Sequence, residues 1–213
     1  ELEEIFYRSD QSRIANTFRE NGVLAHEVQS DVLDQIADSG SPQGVLAVAK
    51  AHDSELSSIA KCRRIVVVDS VQDPGNVGAI VRTAVAAGFG AVITSSGTAD
   101  LLSPRSIRAS AGTIFGLQSA RNMDLGSVLD SLIAEGHFVV ATNSRGEQDF
   151  RSLEVTDQMT LVLGSEAHGL SEPILERASV LVTIPMGLHV ESLNVAVAAG
   201  LVMYRMQTTE NDH

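Results

Sequence analysis

From residue 63 onward, short unbroken apolar runs alternate with stretches whose apolar positions recur at helical spacing. The runs at 65–69, 91–94, 138–141, 161–164 and 180–184 predict strands. The intervening stretches at 76–87, 103–111, 125–135, 173–178 and 194–206 predict helices. A strand that is Val, Ile or Leu throughout, without alternation, expects cover on both faces, and helices between such strands imply parallel neighbours. The fold class is therefore α/β, a mostly parallel sheet with helices on both faces.

The first 50 or so residues repeat the alternation in smaller units, with strands expected at 4–7 and 45–49 and helices at 12–21 and 31–39. A polar stretch without strong periodicity follows. The organisation read from this is a small N-terminal lobe at 1–52, a linker at 53–62 and a main domain at 63–213. The last predicted helix is nearly apolar all round, from Leu193 through Val195, Val197, Leu201 and Met203. Such a helix must be covered on more than one side. The sheet covers one, and a second copy of the chain is the expected cover for another, which predicts a homodimer.

Composition narrows the partners. The 213 residues carry 15 Lys+Arg against 27 Asp+Glu, a net charge of −12, so any nucleic acid must be held by a local basic patch rather than by the whole surface. No apolar run approaches the roughly 20 residues of a membrane span, and no signal-peptide pattern is visible. The one cysteine, Cys62, excludes an internal disulfide and fits a reducing cytoplasm. Its basic neighbours Lys61, Arg63 and Arg64 fit either a lowered thiol pKa or plain solvated charges. The histidines are scattered singly, which offers no metal site.

The stretch DSVQDPGNVGAIVRTAVAAG, from Asp69 to Gly88, places Arg82 among Val77, Ile80, Val81 and Val85. Its Gly75-x-x-Gly78 spacing matches neither the GxGxxG dinucleotide turn nor a P-loop. It fits a strand–helix turn capped by Asp73 or Asn76, with Pro74 in the first turn. Arg82 then needs a structural ion partner or an opening toward an anion. Downstream, LVLGSEAHGLSEP carries Ser165 and His168 without the GxSxG elbow of a hydrolase, so His168, like His189, is a weak general-base candidate. The segment VTIPMGLHVESLNVAVAAGL puts Ser192 and Asn194 where they either cap the last helix or face a site.

In order and spacing these pieces are specific together. Asn76-x-Gly78-x3-Arg82, then Leu163-Gly164-x-Glu166-x2-Gly169-Leu170, then Ile184-Pro185-Met186 with Ser192-Leu193-Asn194, resemble the motifs of the SpoU/TrmH-type RNA ribose methyltransferases of the SPOUT class. Ile107-Arg108-Ala109-Ser110-Ala111-Gly112 resembles the segment those enzymes carry between the first two motifs. The resemblance spans 65–206. The lobe ending Ser41-Pro42-Gln43-Gly44-Val45 looks like the family's L30e-like RNA-binding domain, with its opening strand and helix expected before Glu1. The chain departs from the pattern at Ala167-His168, where many relatives carry glycine and a charged residue, and at Ala196, which replaces a frequent serine.

The resemblance implies methyl transfer from S-adenosylmethionine to a ribose 2′-hydroxyl of structured RNA, ribosomal before transfer RNA, by a fold closed with a C-terminal trefoil knot. Carried over, Gly164, Ile184 and Leu193 line the adenosine site with Thr142, Met186 and Gly187 close by, and no metal is involved. Arg82, Asn76, Glu166, Ser192 and Asn194 form the catalytic end, with Glu166 expected to orient Arg82 or loop amides. Arg8, Arg13 and Arg19 in the lobe and Arg105, Arg108 and Ser110 in the main domain are the expected RNA contacts. The competing expectations are a non-catalytic RNA-binding relative of the same fold, or a nucleotide-binding α/β enzyme.

Overall fold

The computed structural model describes residues 2–37, 42–146, 148–188, 190 and 192–207. Strand β4 (Arg64–Val68) shows how the main unit is built, since all of it is buried. Ile65 and Val67 point into one core and Val66 and Val68 into another, on opposite faces of the same sheet. The same split recurs in β5 (Ala91–Ser95), β7 (Phe138–Thr142) and β9 (Met159–Leu163), which explains their unbroken apolar runs.

One core is closed by α4 (Pro74–Ala86) and α8 (Val195–Met206), the other by α3 (Leu56–Ile59), α6 (Leu125–Ala134) and α7 (Glu172–Leu175). With α5 (Pro104–Ala109), β6 (Gln118–Met123), β8 (Gln148–Asp149) and β10 (Val180–Thr183), the strands order as β6-β5-β4-β9-β7-β10-β8. All neighbours in this seven-stranded sheet pair in parallel. The mostly parallel α/β sheet with helices on both faces is thus what forms.

The chain divides into two compact units, Glu1–His52 and Asp53–His213. In the first, β1 (Leu2–Tyr7) pairs in parallel with β2 (Leu24–Glu27) and antiparallel with β3 (Val45–Ala49), with α1 (Ser12–Glu20) and α2 (Ser30–Ile36) alongside in sequence. The expected helix at 31–39 starts at Ser30, and its last positions lie outside the described residues.

Several elements differ from expectation. The polar stretch read as a linker forms α3, and Ile59 is buried against β4 and β6 neighbours. Asp53 in the same stretch pairs with Arg121 of β6 at 2.8 Å. Burial pushes the Cys62 thiol pKa up, so its basic neighbours do not activate it. Strands β6 and β8 escape the apolar reading because QSARNM and QD lie at the two sheet edges, where no hydrophobic run is required. Helix α8 buries Val195, Ala199, Val202, Met203 and Met206, whereas Val197, Leu201 and Tyr204 are exposed at 53%, 41% and 55% in the single chain. Arg64, 3% exposed, anchors the far end of this helix: its Nε donates to the Met206 carbonyl at 2.8 Å, and its remaining nitrogens donate to the carbonyls of Arg63, Thr156 and Asp157.

Candidate active site

The turn entering α4 is capped by Asp73, whose Oδ1 accepts from the Gly75 amide at 3.0 Å, with Pro74 in the first turn. That leaves the Asn76 side chain free for another task. Its Nδ2 donates to Glu166 Oε1 at 2.7 Å, and its Oδ1 accepts from Asn194 Nδ2 at 2.9 Å. Asn194 in turn caps α8, its Oδ1 accepting from the amides of Ala196 and Val197 at 2.9 and 3.3 Å. Capping and site-building are therefore both done by Asn194. The direction of every bond is fixed: the helix amides demand an oxygen at one end, the carboxylate demands an N–H at the other, and the two asparagines relay between them.

Glu166 sits on a tight turn after β9. Ser165 and Gly169 form a bridge, the Gly169 amide donates to the Ser165 carbonyl at 2.9 Å, and Gly169 has φ +66°. The turn folds back so closely that a Cβ on Gly164 would lie 2.4 Å from the Gly169 carbonyl carbon, which only glycine avoids. Leu170, buried in the core beneath, pins the turn.

Three segments meet here: residues 142–144 at the end of β7, 164–170 after β9, and 182–186 at the end of β10 with 192–198 entering α8. They enclose a cavity of about 530 Å³. Of the expected cofactor residues, Thr142, Gly164, Ile184, Met186 and Leu193 line it, as do Glu166 and Ser192 of the expected catalytic set. Gly187 does not, and His189 lies outside the described residues. Asn143, Ser144, His168, Leu170, Val195 and Ala198 line it as well. Of these, His168 is the weak general-base candidate and Leu170 stands in the second motif, whereas sequence reasoning missed Asn143, Ser144, Val195 and Ala198. The donor set suits S-adenosylmethionine: apolar walls from Leu170, Ile184, Leu193 and Val195, loop amides and carbonyls, and a volume within the range of ligand pockets, roughly 300–1,000 Å³.

Arg82 is exposed and makes no hydrogen bond or ion pair among the described residues. Of the two expected roles for Glu166, orienting Arg82 or loop amides, neither contact is formed among the described residues; its Oε1 instead accepts from Asn76. Gly78, one turn earlier on α4, explains the placement: a Cβ there would meet the Ser106 carbonyl at 2.4 Å and Ala109 Cβ at 2.5 Å. Helices α4 and α5 thus pack at backbone contact, and Arg82 emerges beyond their crossing.

The expected RNA contacts divide. Arg13 and Arg108 are exposed with no side-chain partner among the described residues, and Arg105 makes one exposed ion pair with Asp73 at 3.7 Å. Arg8 and Arg19 are occupied within their own unit. Arg8 donates to the Pro42 carbonyl at 2.9 Å, and Arg19 donates to Tyr7 Oη at 2.8 Å while lying over its ring. The Ser110 hydroxyl is buried and donates to the Ile107 carbonyl at 2.8 Å, so it closes α5 rather than facing a ligand. Among the described residues, no group of three or more His, Cys, Asp or Glu is placed to hold a metal ion, and no helix is long and apolar enough to cross a membrane.

A parallel α/β domain with a cavity at the ends of its strands, beside a polar relay, has the form of a ligand-binding enzyme, and comparison with known proteins sharpens this. Residues 63–204 match the SpoU rRNA Methylase family model, and residues 1–54 match that of the RNA 2′-O ribose methyltransferase substrate-binding domain. The chain is 32% identical over 198 residues to the 23S rRNA (guanosine(2553)-2′-O)-methyltransferase RlmP of Bacillus subtilis, covering 93% of this chain and 78% of that one. Its structure is similar to that of an AdoMet-bound rRNA methyltransferase from Sinorhizobium meliloti, with a TM-score of 0.87 at 31% identity, covering 96% of this chain and 79% of the other. It also resembles the SpoU methyltransferase AviRb from Streptomyces viridochromogenes in complex with AdoMet, with a TM-score of 0.86 at 28% identity, covering 97% and 82%. The chain belongs to the SpoU rRNA methylase family. It is an S-adenosylmethionine-dependent methyltransferase of that family.

Proposed function

We propose that this protein methylates a ribose 2′-hydroxyl in structured RNA, ribosomal RNA before transfer RNA. The observation that carries the reading is a cavity that fits the methyl donor, with Arg82 unpaired among the described residues and the Asn194–Asn76–Glu166 relay, all in the family's motif positions. The family match and the relatives' printed activities on ribosomal RNA support it.

What the bound cofactor supplies is a methyl group already activated on a sulfonium, so the protein's main task is alignment. Thr142, Gly164, Ile184, Met186 and Leu193 hold the donor, with Gly187 on the adjoining loop. Asn76, Glu166 and Asn194 lock the first, second and third motifs to one another, so that the donor loops and α4 keep one relative position. Arg82 grips the phosphate beside the target ribose and polarises the 2′-hydroxyl. A guanidinium is a poor base, so the proton leaves to phosphate or water. Ser192, at the cavity's rim, orients the ribose.

The same reading extends to assembly and shape. The exposed Val197, Leu201 and Tyr204 form the face of a homodimer. The C-terminal part of the main domain passes through one of its loops as a trefoil knot, and the 1–52 lobe, L30e-like, carries RNA contacts through Arg13. The enzyme works in the cytoplasm. Mapping 2′-O-methyl sites in total RNA from cells with and without the gene tests the function. A ribose methyl lost with the gene is the expected result, and an unchanged map overturns it.

A further inference from the structure

Phe115 lies in the 3-10 turn Thr113–Gly116 after α5 and is 67% exposed, against 55% for Tyr204, the next most exposed aromatic ring. The turn is held from below: Ile114 is buried in the core, and the Phe115 amide donates to the Gly112 carbonyl at 3.2 Å. Gly112, with φ +78°, lets the chain reverse out of α5 into this turn. A ring displayed this way on an ordered turn offers apolar area that a partner can bury.

Arginines stand on the elements around this turn, in a chain that is otherwise acidic. Helix α4 packs on both α5 and this turn. The α4 face that meets Ser106 and Ala109 through Gly78 continues one helical turn on to Arg82. Arg105 and Arg108 share the outer side of α5, both exposed, and Arg108 has no partner among the described residues. Among the described residues, their one ion pair is that of Arg105 with Asp73. A second copy of this chain is the poorer occupant, because a two-fold contact centred here would bring the same arginines together. The exposed face of α8 is the apolar one. An aromatic ring flanked by arginines instead matches a nucleic acid strand, whose bases stack and whose phosphates pair with guanidinium groups.

Resting on the methyltransferase reading above, we propose that Phe115 stacks on an unpaired nucleobase next to the methylated nucleotide, while Arg108 holds that base's phosphate. Recognition then selects a loop or bulge rather than a continuous duplex, whose bases are already stacked. Phe115 is a positioning residue for the RNA and does not touch the methyl donor.

The test is methyl transfer from labelled S-adenosylmethionine into total RNA from cells lacking the gene, at varied RNA concentration. Phe115→Ala is expected to raise KM for RNA by about 5- to 100-fold, the worth of one base stack, with little change in kcat. Phe115→Trp is expected to restore KM, and calorimetric affinity for S-adenosylmethionine is expected to stay at the wild-type value. An unchanged KM in Phe115→Ala overturns the inference while leaving the function standing. So does a Phe115→Ala chain that becomes monomeric by light scattering, which would assign the ring to a subunit contact. A wild type that methylates no RNA overturns the functional reading and this inference with it.

Discussion

Asn76 and Glu166, separated by 90 residues of sequence, are joined at 2.7 Å by an amide-to-carboxylate hydrogen bond. It ties the start of α4 to the turn that walls the cavity. Replacing Asn76 by Ala removes both this bond and the one from Asn194. Methyl transfer is expected to fall on the order of 100-fold in kcat/KM, as for a small misplacement of reacting groups. Affinity for S-adenosylmethionine is expected to hold within a few fold by calorimetry, since Asn76 does not line the cavity.

Gly164→Ala strikes the cavity itself. The added methyl would meet the Gly169 backbone at 2.4 Å and force the 165–169 turn outward. Cofactor affinity is expected to drop at least about tenfold, because the turn cannot give way cheaply. Circular dichroism should show the fold retained.

Arg64→Met keeps the bulk of a buried side chain but leaves the carbonyls of Met206, Thr156 and Asp157 without their donor. The expected loss is about 3 kcal/mol in denaturant unfolding, from buried acceptors left unpaired.

On α8, Leu201→Asp puts a charge into the exposed apolar face without touching the buried one. Light scattering should show a dimer for the parent chain and a monomer for the variant.

Much of this is legible in the sequence because burial on both faces forces unbroken apolar strands. β4, β5, β7, β9 and β10 announce themselves in that way. β6 does not: as an edge strand it carries Gln118, Arg121 and Asn122, which no core demands inside. The cavity-lining residues are readable only as a family resemblance, since Gly164, Ile184 and Leu193 share a wall through topology rather than spacing. The resemblance groups Asn194, Asn76 and Glu166, but the hydrogen-bonded relay between them is not readable. Each asparagine alone fits a helix cap, and nothing local distinguishes a cap that also reaches across to another motif. The same limit leads to the expectation that Glu166 orients Arg82 or loop amides, whereas its partner is Asn76.

Ribose methylation steered by Arg82 is decided by S-adenosylmethionine with a deuterated methyl group, total RNA from cells lacking the gene, and mass spectrometry of the digested nucleosides. The parent protein is predicted to yield a 2′-O-trideuteromethyl nucleoside. Arg82→Ala is predicted to yield none while binding S-adenosylmethionine as tightly as the parent. Label on a base rather than a ribose, or full transfer by Arg82→Ala, would refute the assignment.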